Sequence, residues 1–451
     1  MRMNLRTLAF IALTIVASRF AKAQELSPKP ILIRGVTVID GAGHAPQRDM
    51  SVLISNGLIA AIAPAPEIKA SPDSQVLEAR GKYLIPGLWN MHVHLGAYAD
   101  GKRNLSAFLD QGVVGVRDMG SPLDDILRLR QETNDGTILG PRMVVSGPII
   151  QGPLPFQNPV FVPVKDAAEG RRTVQMLKNR GVDFIKVQDA IPHDIYVAVA
   201  DQARLEDIPF VGHIAPTVLP EEASDLGQRS VEHLGGLFWT VLVGTSTRES
   251  ELHAEEIQMY EDTLAAVERG ERTPHPNMDA QFTRKLLESY DASKATALIA
   301  RFKKNDTWQC PTLVVLHQSV DGDNKYTGED LVWADRVVAK DTELVAMMQK
   351  AGVGLLAGTD LPPNTKNGTI HDELAALVDG GLTPMQALET ATRGPAQFLG
   401  TLATSGTVEK GKVADLVLLN DNPLDDIHNT THISAVIFRG RLISHEDASK
   451  Q

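Results

Sequence analysis

The chain has 451 residues, 43% of them apolar and 22% charged, with a formal charge of −12 at pH 7. That balance is ordinary for a globular protein and excludes a disordered or membrane-filling one. Its acidity argues against nucleic acid as a partner, and its length suits one large α/β domain with an accessory, or two to three domains.

At the N-terminus, Arg2 and Arg6 precede the apolar run Leu8 to Ala17, and Ala21-Lys22-Ala23 offers a small-x-small cleavage site. The run is too short to span a bilayer. Residues 1–23 are therefore read as a cleaved signal peptide, with the mature chain, periplasmic or secreted, starting near Gln24. Losing the four cations of that segment (Arg2, Arg6, Arg19 and Lys22) takes the formal charge to −16. No later stretch is apolar for long enough to cross a membrane, so no membrane association is expected of the mature form. Cys310 is the single cysteine; with no internal disulfide, stability has to come from core burial.

Ile31 to Val38 and Met50 to Ile62 interleave β-branched and polar residues between glycine turn points, the pattern of a small sheet. The texture returns at the far end, in Ala414 to Leu419 and Ile433 to Phe438. The two pieces, 24–84 and 405–451, are expected to pair into one small β-domain, a β-sandwich, leaving 85–404 as an uninterrupted domain.

Within that block eight short apolar runs alternate with amphipathic helical segments such as Asp166 to Arg180 and His193 to Glu206. The runs are Leu84 to His92, Val113 to Arg117, Arg142 to Ser146, Asp183 to Val187, Phe210 to Ile214, Ser230 to His233, Thr312 to Leu316 and Gly354 to Gly358. Eight such units predict an α/β fold, a TIM-like (β/α)8 barrel. Residues 238–308 form a charged helical insertion between the sixth and seventh runs. It is a candidate lid or substrate-selecting element, or else a peripheral oligomer contact.

Barrel chemistry gathers at the C-terminal ends of the strands. His92 and His94 project the same way from the end of the first run, because alternate residues of a strand share a face. The fourth run carries Lys186, the fifth ends at His213, the sixth at His233 and the eighth at Asp360. Four imidazoles and a carboxylate suit zinc, or manganese, cobalt or nickel. A lysine ammonium beside dications is repelled and costly to bury. A neutral amine that captures carbon dioxide becomes an anionic two-oxygen ligand instead, so Lys186 is expected as N6-carboxylysine bridging two divalent metal ions. His371, followed by Asp372 and Glu373, either reaches the site or marks a helix N-terminus. Arg117, Asp118, Ser146 and His317 also follow strands and are candidates for substrate contact or for loop anchoring. Trp89 and Cys310 are read as packing.

The stretches PGLWNMHVHLG (86–96), GVRDMG (115–120), DFIKV (183–187), VGHI (211–214), SVEHLG (230–235), DTWQCPTL (306–313), LLAGTD (355–360), HDEL (371–374) and GTVEKGKVADLVLL (406–419) carry a family resemblance. The chain resembles the metal-dependent amidohydrolase superfamily, in particular its exported imidazolonepropionase-like and dipeptidase-like branch with a carboxylated lysine. That resemblance implies that His92 and His94 bind the more buried metal, His213 and His233 the more exposed one, and that Lys186 bridges them. It implies that Asp360 binds the buried metal and serves as general base and then acid to a metal-bridged hydroxide. The expected reaction is cleavage of an amide or cyclic amide C–N bond of a small molecule, such as a dipeptide or N-acyl amino acid. Rival readings are a lactone, carbamate or phosphotriester hydrolase on the same two metals, a mononuclear deaminase, and a barrel that binds a solute without catalysis.

Overall fold

A computed structural model describes residues 29–96, 105–152, 158–236, 239–271, 280–321 and 329–443. The expected export signal, residues 1–23, lies outside the described residues. The N-terminal strands are β1 (Ile31–Val38), β2 (Gln47–Ser55), β3 (Leu58–Pro64), β4 (Gln75–Glu78) and β5 (Tyr83–Pro86). They join the C-terminal β15 (Leu416–Leu419), β16 (Ile433–Phe438) and β17 (Arg441–Ile443) in one sheet, with the order β17-β16-β15-β5-β1-β2-β3 and β4 also on β1. The two ends of the chain meet where β15 runs antiparallel to β5, pairing Leu416 with Pro86 and Leu419 with Tyr83. A single hydrogen-bonded sheet thus stands where the sequence predicted a sandwich. Its buried side chains, among them Ile31, Ile33, Val52, Leu84, Leu416 and Ile437, form a core of their own.

The expected first run is cut in two at Gly87. Tyr83–Pro86 belongs to the terminal sheet, and β6 (Leu88–Val93) starts the central domain. A side chain at 87 would collide with Val114, at 2.5 Å from its Cβ, so only glycine lets the chain pass from one sheet to the other this close to a neighbouring strand. The central strands continue with β7 (Val113–Asp118), β8 (Arg142–Val145), β9 (Ile149–Gln151), β10 (Phe161–Pro163), β11 (Ile185–Val187), β12 (Phe210–Gly212), β13 (Ser230–Glu232) and β14 (Trp308–Cys310). They form two all-parallel sheets, β6-β7-β8 and β10-β9-β11-β12-β13-β14. Among the described residues no ladder merges these into one closed sheet, yet backbone hydrogen bonds bridge both gaps. Asp183 N–H donates to Val145 O at 2.8 Å, and the extended segment 354–360 stitches β14 to β6 through Gln309 N–H to Gly354 O (2.9 Å) and Met91 N–H to Ala357 O (2.8 Å).

Helices between the strands follow the predicted spacing. Ala167–Arg180 is capped by the Asp166 side chain, which accepts the Glu169 N–H, and stops at Gly181 with φ 83°; His193–Leu205 follows β11. Two predicted strands are absent. Leu313–Asp321 is a helix, because Pro311 ends β14 and the buried Glu373 carboxylate accepts the N–H groups of Leu313 and Val314, caps of a helix start. A short apolar run cannot by itself separate a buried strand from a buried helix. The eighth run makes only an isolated parallel bridge, Gln309 to Leu355. β9 and β10 were not anticipated. The insertion between β13 and β14 is helical as expected (Thr240–Val243, Glu249–Glu268, Ala280–Glu288), while Ala292–Lys304 packs on its neighbours Pro220–Asp225 and Glu329–Ala351 as the regular connection into β14.

Candidate metal centre

Each predicted ligand occupies the end of a strand or the loop just beyond it. His92 lies on β6 and His94 one residue past it, Lys186 is the middle residue of β11, His213 follows β12, His233 follows β13, and Asp360 ends the segment beside β6. His92, Lys186, His213 and His233 are buried; His94 and Asp360 are partly open. The ring centroids step round the mouth: His94 to His92 5.2 Å, His92 to His233 4.6 Å, His233 to His213 5.0 Å. Asp360 faces three of them. Its Oδ1 is 3.3 Å from His94 Nε2 and 3.6 Å from His92 Nε2, and its Oδ2 is 3.6 Å from His233 Nε2.

The other ring nitrogen of every histidine is held by an oxygen. His92 Nδ1 is 2.9 Å from Glu232 Oε2, His94 Nδ1 3.0 Å from the Gly120 carbonyl, and His213 Nδ1 2.6 Å from Asp189 Oδ2. His233 Nδ1 is 2.5 Å from the Thr312 hydroxyl, whose own proton goes to Pro311 O. Carbonyls and carboxylates only accept, so each Nδ1 carries the proton and each Nε2 turns a lone pair inward. The Nε2 atoms of His92 and His94 are 3.3 Å apart, close enough to share one cation. Donor atoms of His92, His94 and Asp360 lie within 4.8 Å of one another, as a shared ion requires. Oxygen partners on the far nitrogen are what metal-ligating imidazoles use to fix tautomer and orientation.

The charge states agree with that reading. Burial pushes His92 well below the usual imidazole range and His233 down to about 3, favouring neutral donors. His94 is also pushed down by burial, but the hydrogen bond and charge of Asp360 outweigh this and raise it. Asp360 is disfavoured as an anion by burial, and the surrounding imidazoles, His92 foremost, overcome this and hold it far below the carboxylate range. Lys186 Nζ is buried without a hydrogen-bond partner, and burial lowers its ammonium to about 8. An orphaned amine, partly neutral near pH 7, is the form that reacts with carbon dioxide.

Glu232 is the functional residue that sequence reading missed. It sits wholly buried under His92, gripped by Arg117 Nη2 at 2.9 and 3.0 Å, with Ser230 Oγ donating at 2.6 Å. Burial opposes its charge; Arg117 first, then Lys186, override this and lower it. His92, Glu232 and Cys310 also bring donor atoms close together, but Arg117 already supplies the countercharge there, and Cys310 belongs to an apolar cluster with Met91, Trp308 and Leu356. Arg117 therefore supports the site from beneath, with Nε donating to Met91 O at 2.6 Å. Asp118 anchors the loop after β6 through Leu95 N–H and the Ser121 hydroxyl, and Ser146 donates to Gly147 O.

Two candidates fall elsewhere. His317 is exposed on the helix Leu313–Asp321 rather than at a strand end, a consequence of the strand that became a helix. His371 lies in the first turn of helix Ile370–Asp379, where Asp372 forms a capping box with Thr369, and its Nδ1 meets Thr430 Oγ at 3.0 Å. Burial lowers it to about 4. It ties this helix to the C-terminal segment.

Backbone strain gathers at the same place. Asp360 (φ 54°), His233 (53°), Leu234 (53°) and Thr312 (50°) are left-handed without being glycine, a cost of about 1 kcal/mol or more apiece that functional sites concentrate. Gly236 (φ 111°) passes so close to Asp189 and His213 that an added Cβ would stand 2.2 Å from Asp189 Oδ1. By contrast, cavities of about 580 and 490 Å³ lie away from this mouth, one lined by Asn134, Phe438 and Arg439, the other by Trp89, Phe184 and Phe398. The polar convergence, not cavity size, marks the site.

The model of the amidohydrolase family matches residues 83–443. The ochratoxinase of Aspergillus niger is 24% identical over 454 residues, covering 88% of this chain and 83% of that protein. Among solved structures, one described as a putative prolidase from Bifidobacterium longum superposes with TM-score 0.68 at 26% identity, over 92% of this chain and 95% of that one. A Xaa-Pro dipeptidase with bound methionine in its active site gives TM-score 0.68 at 21% identity, over 92% and 100%.

Proposed function

The chain belongs to the amidohydrolase family and is a hydrolase acting on C–N bonds, and we propose that it cleaves the amide bond of a dipeptide or N-acyl amino acid at a two-metal centre inside a (β/α)8 barrel. The observation that carries this is the gathering of three Nε2 atoms, those of His92, His94 and His233, around Asp360, with the unpartnered Lys186 amine within electrostatic reach of that carboxylate. His92, His94 and Asp360 would hold the inner ion, His213 and His233 the outer one, with Lys186 as a carbamate between them; imidazole and carboxylate donors fit zinc. Bound there, two such ions polarise a carbonyl and make water nucleophilic at neutral pH.

The chain's own residues do the rest. Asp360, held ionised by its imidazole neighbours, takes the proton of the attacking water on a carboxylate oxygen. It then delivers that proton to the departing nitrogen, so that one group serves as base and then acid. Glu232, Gly120, Asp189 and Thr312 keep the imidazoles from turning as charge shifts.

The test is metal analysis of the purified protein, followed by a hydrolysis screen of metal-replete enzyme on dipeptides, N-acyl amino acids, hydantoin-like rings and lactones. Amide cleavage that chelation abolishes supports the reading. Cleavage of lactones alone would replace it with the ester-hydrolase reading. Export is a separate inference, from residues 1–23; N-terminal sequencing of the mature protein should start near Gln24.

A further inference from the structure

Asn90 is a buried polar residue that the chemistry above does not use, and it lies where two ligand-bearing segments meet. It precedes His92 by two residues on β6, and the extended segment 354–360, which ends in Asp360, runs beside it. The contact is close: a Cβ at Gly358 would stand 2.7 Å from His92 Cβ. Yet the two chains do not pair regularly. A parallel ladder spaces its bonds evenly, so the bond from Met91 N–H to Ala357 O (2.8 Å) would be followed by one from Thr359 N–H to Met91 O. The next backbone bond runs instead from Asp360 N–H to His92 O, at 2.9 Å, one residue later on each chain. On its other side β6 also slips, advancing from Asn90 to Val93 while β7 advances only from Val116 to Asp118. His92 therefore sits in a β-bulge, a device that re-aims side chains.

Asn90 closes that break. Its Oδ1 accepts both the Thr359 N–H, at 3.1 Å, and the His92 N–H, at 3.2 Å, and its Nδ2 donates to Thr359 Oγ1 at 2.8 Å. Met91 O, which the break leaves over, receives Arg117 Nε. One amide oxygen thus stands in for a ladder carbonyl and ties the backbone before Asp360 to the backbone of His92. An apolar residue of the same size would fill the space and take that acceptor away from two buried N–H groups. We propose that Asn90 is a positioning residue for Asp360. It fixes the step at which segment 354–360 bends into the left-handed backbone of Asp360 (φ 54°), and so sets the approach of that carboxylate to His92 and His94 at 3.6 and 3.3 Å. The proposal rests on the two-metal reading only in giving His92, His94 and Asp360 an ion to share.

Titration of the metal-free protein with cobalt(II), followed by visible absorption, reads the geometry of the site without turnover; imidazole and carboxylate donors suit that ion. Asn90→Ser, too short to reach both N–H groups, should weaken one of the two binding events about 10–100-fold and alter its absorption. Asn90→Asp keeps an oxygen that can accept both N–H groups and should hold affinity and spectrum. Thr359→Val, which removes only the hydroxyl that orients the amide, should give a smaller change in the same direction. A folded Asn90→Ser that binds both ions as the wild type does, with only its thermal stability lowered, makes Asn90 a packing residue and overturns the proposal. Should that variant not fold, an unchanged affinity and spectrum in Thr359→Val overturns it. Equal losses in Asn90→Asp and Asn90→Ser would overturn the role of the shared acceptor. On an amide that the enzyme cleaves, Asn90→Ser should lower kcat with KM little changed, since Asp360 rather than a substrate contact has moved. The expected cobalt(II) responses in a protein that cleaves no amide would overturn the functional reading alone.

Discussion

Glu232 Oε2 lies 2.9 Å from His92 Nδ1 and receives Arg117 Nη2 at the same distance, so a buried guanidinium positions the deepest imidazole through one carboxylate. Glu232→Gln should therefore lower metal affinity about 10–100-fold, the usual range for such supporting partners. It also leaves Arg117 as an uncompensated buried cation, so stability should drop by about 3–5 kcal/mol. Metal titration and denaturant unfolding measure the two effects; unchanged metal affinity would remove Glu232 from the site.

Asp360→Asn keeps an oxygen near His94 but cannot take a proton from water. Turnover should fall by at least about 10²-fold, the scale of general-base work, with metal content only partly reduced. Near wild-type turnover would end its assignment as base.

Lys186→Ala removes the buried amine without disturbing the imidazoles. Activity should be lost, and short carboxylates such as acetate or propionate should restore part of it by occupying the vacated oxygen positions. Wild-type activity should also rise with added bicarbonate after carbon dioxide is stripped. Full activity of Lys186→Ala without added carboxylate would exclude the bridging role.

Gly236→Ala places a methyl group against Asp189 Oδ1 at a left-handed backbone position. His213 then loses its fixed orientation, and the outer ion should be lost before the inner one. Metal stoichiometry near one per chain, with His92 and His94 still occupied, is the expected result.

Asp341 is buried in helix Glu329–Ala351 with neither carboxylate oxygen bonded, and burial alone pushes it well above the usual range. A folded-state value above the unfolded one means that this group's proton favours the folded state below the unfolded value, and that stability falls as pH rises through the folded one. Asp341→Leu should raise stability at neutral pH by about 2 kcal/mol and flatten the alkaline side of the pH–stability curve. Thermal unfolding across pH measures both; destabilisation would mean that Asp341 has a structural partner.

The candidate ligands could be singled out in the chain because each lies at or near the end of a short apolar run, and strand alternation tells which side chains share a face. The terminal β-domain was legible for the same reason: its β-branched texture appears only at 31–62 and 414–438. Where local pattern is degenerate, reading failed. Leu313–Asp321 is a helix because Glu373, 60 residues away, caps its first N–H group, and that moved His317 off the strand ends. Glu232 stood in plain view beside His233, yet its role depends on Arg117, 115 residues earlier in the chain. His371, grouped by sequence with two acids, is claimed by Thr430 instead.

By itself, then, the amino-acid sequence determined the kinds of donor present and the strands that deliver them, since both follow from residue type and a period of two. Only the tertiary structure decided which nitrogen of each imidazole faces inward, because the oxygens that hold the other nitrogen come from Glu232, Gly120, Asp189 and Thr312 on separate strands and loops. A tautomer is set by a hydrogen-bond partner in space, and spacing along the chain carries no record of it.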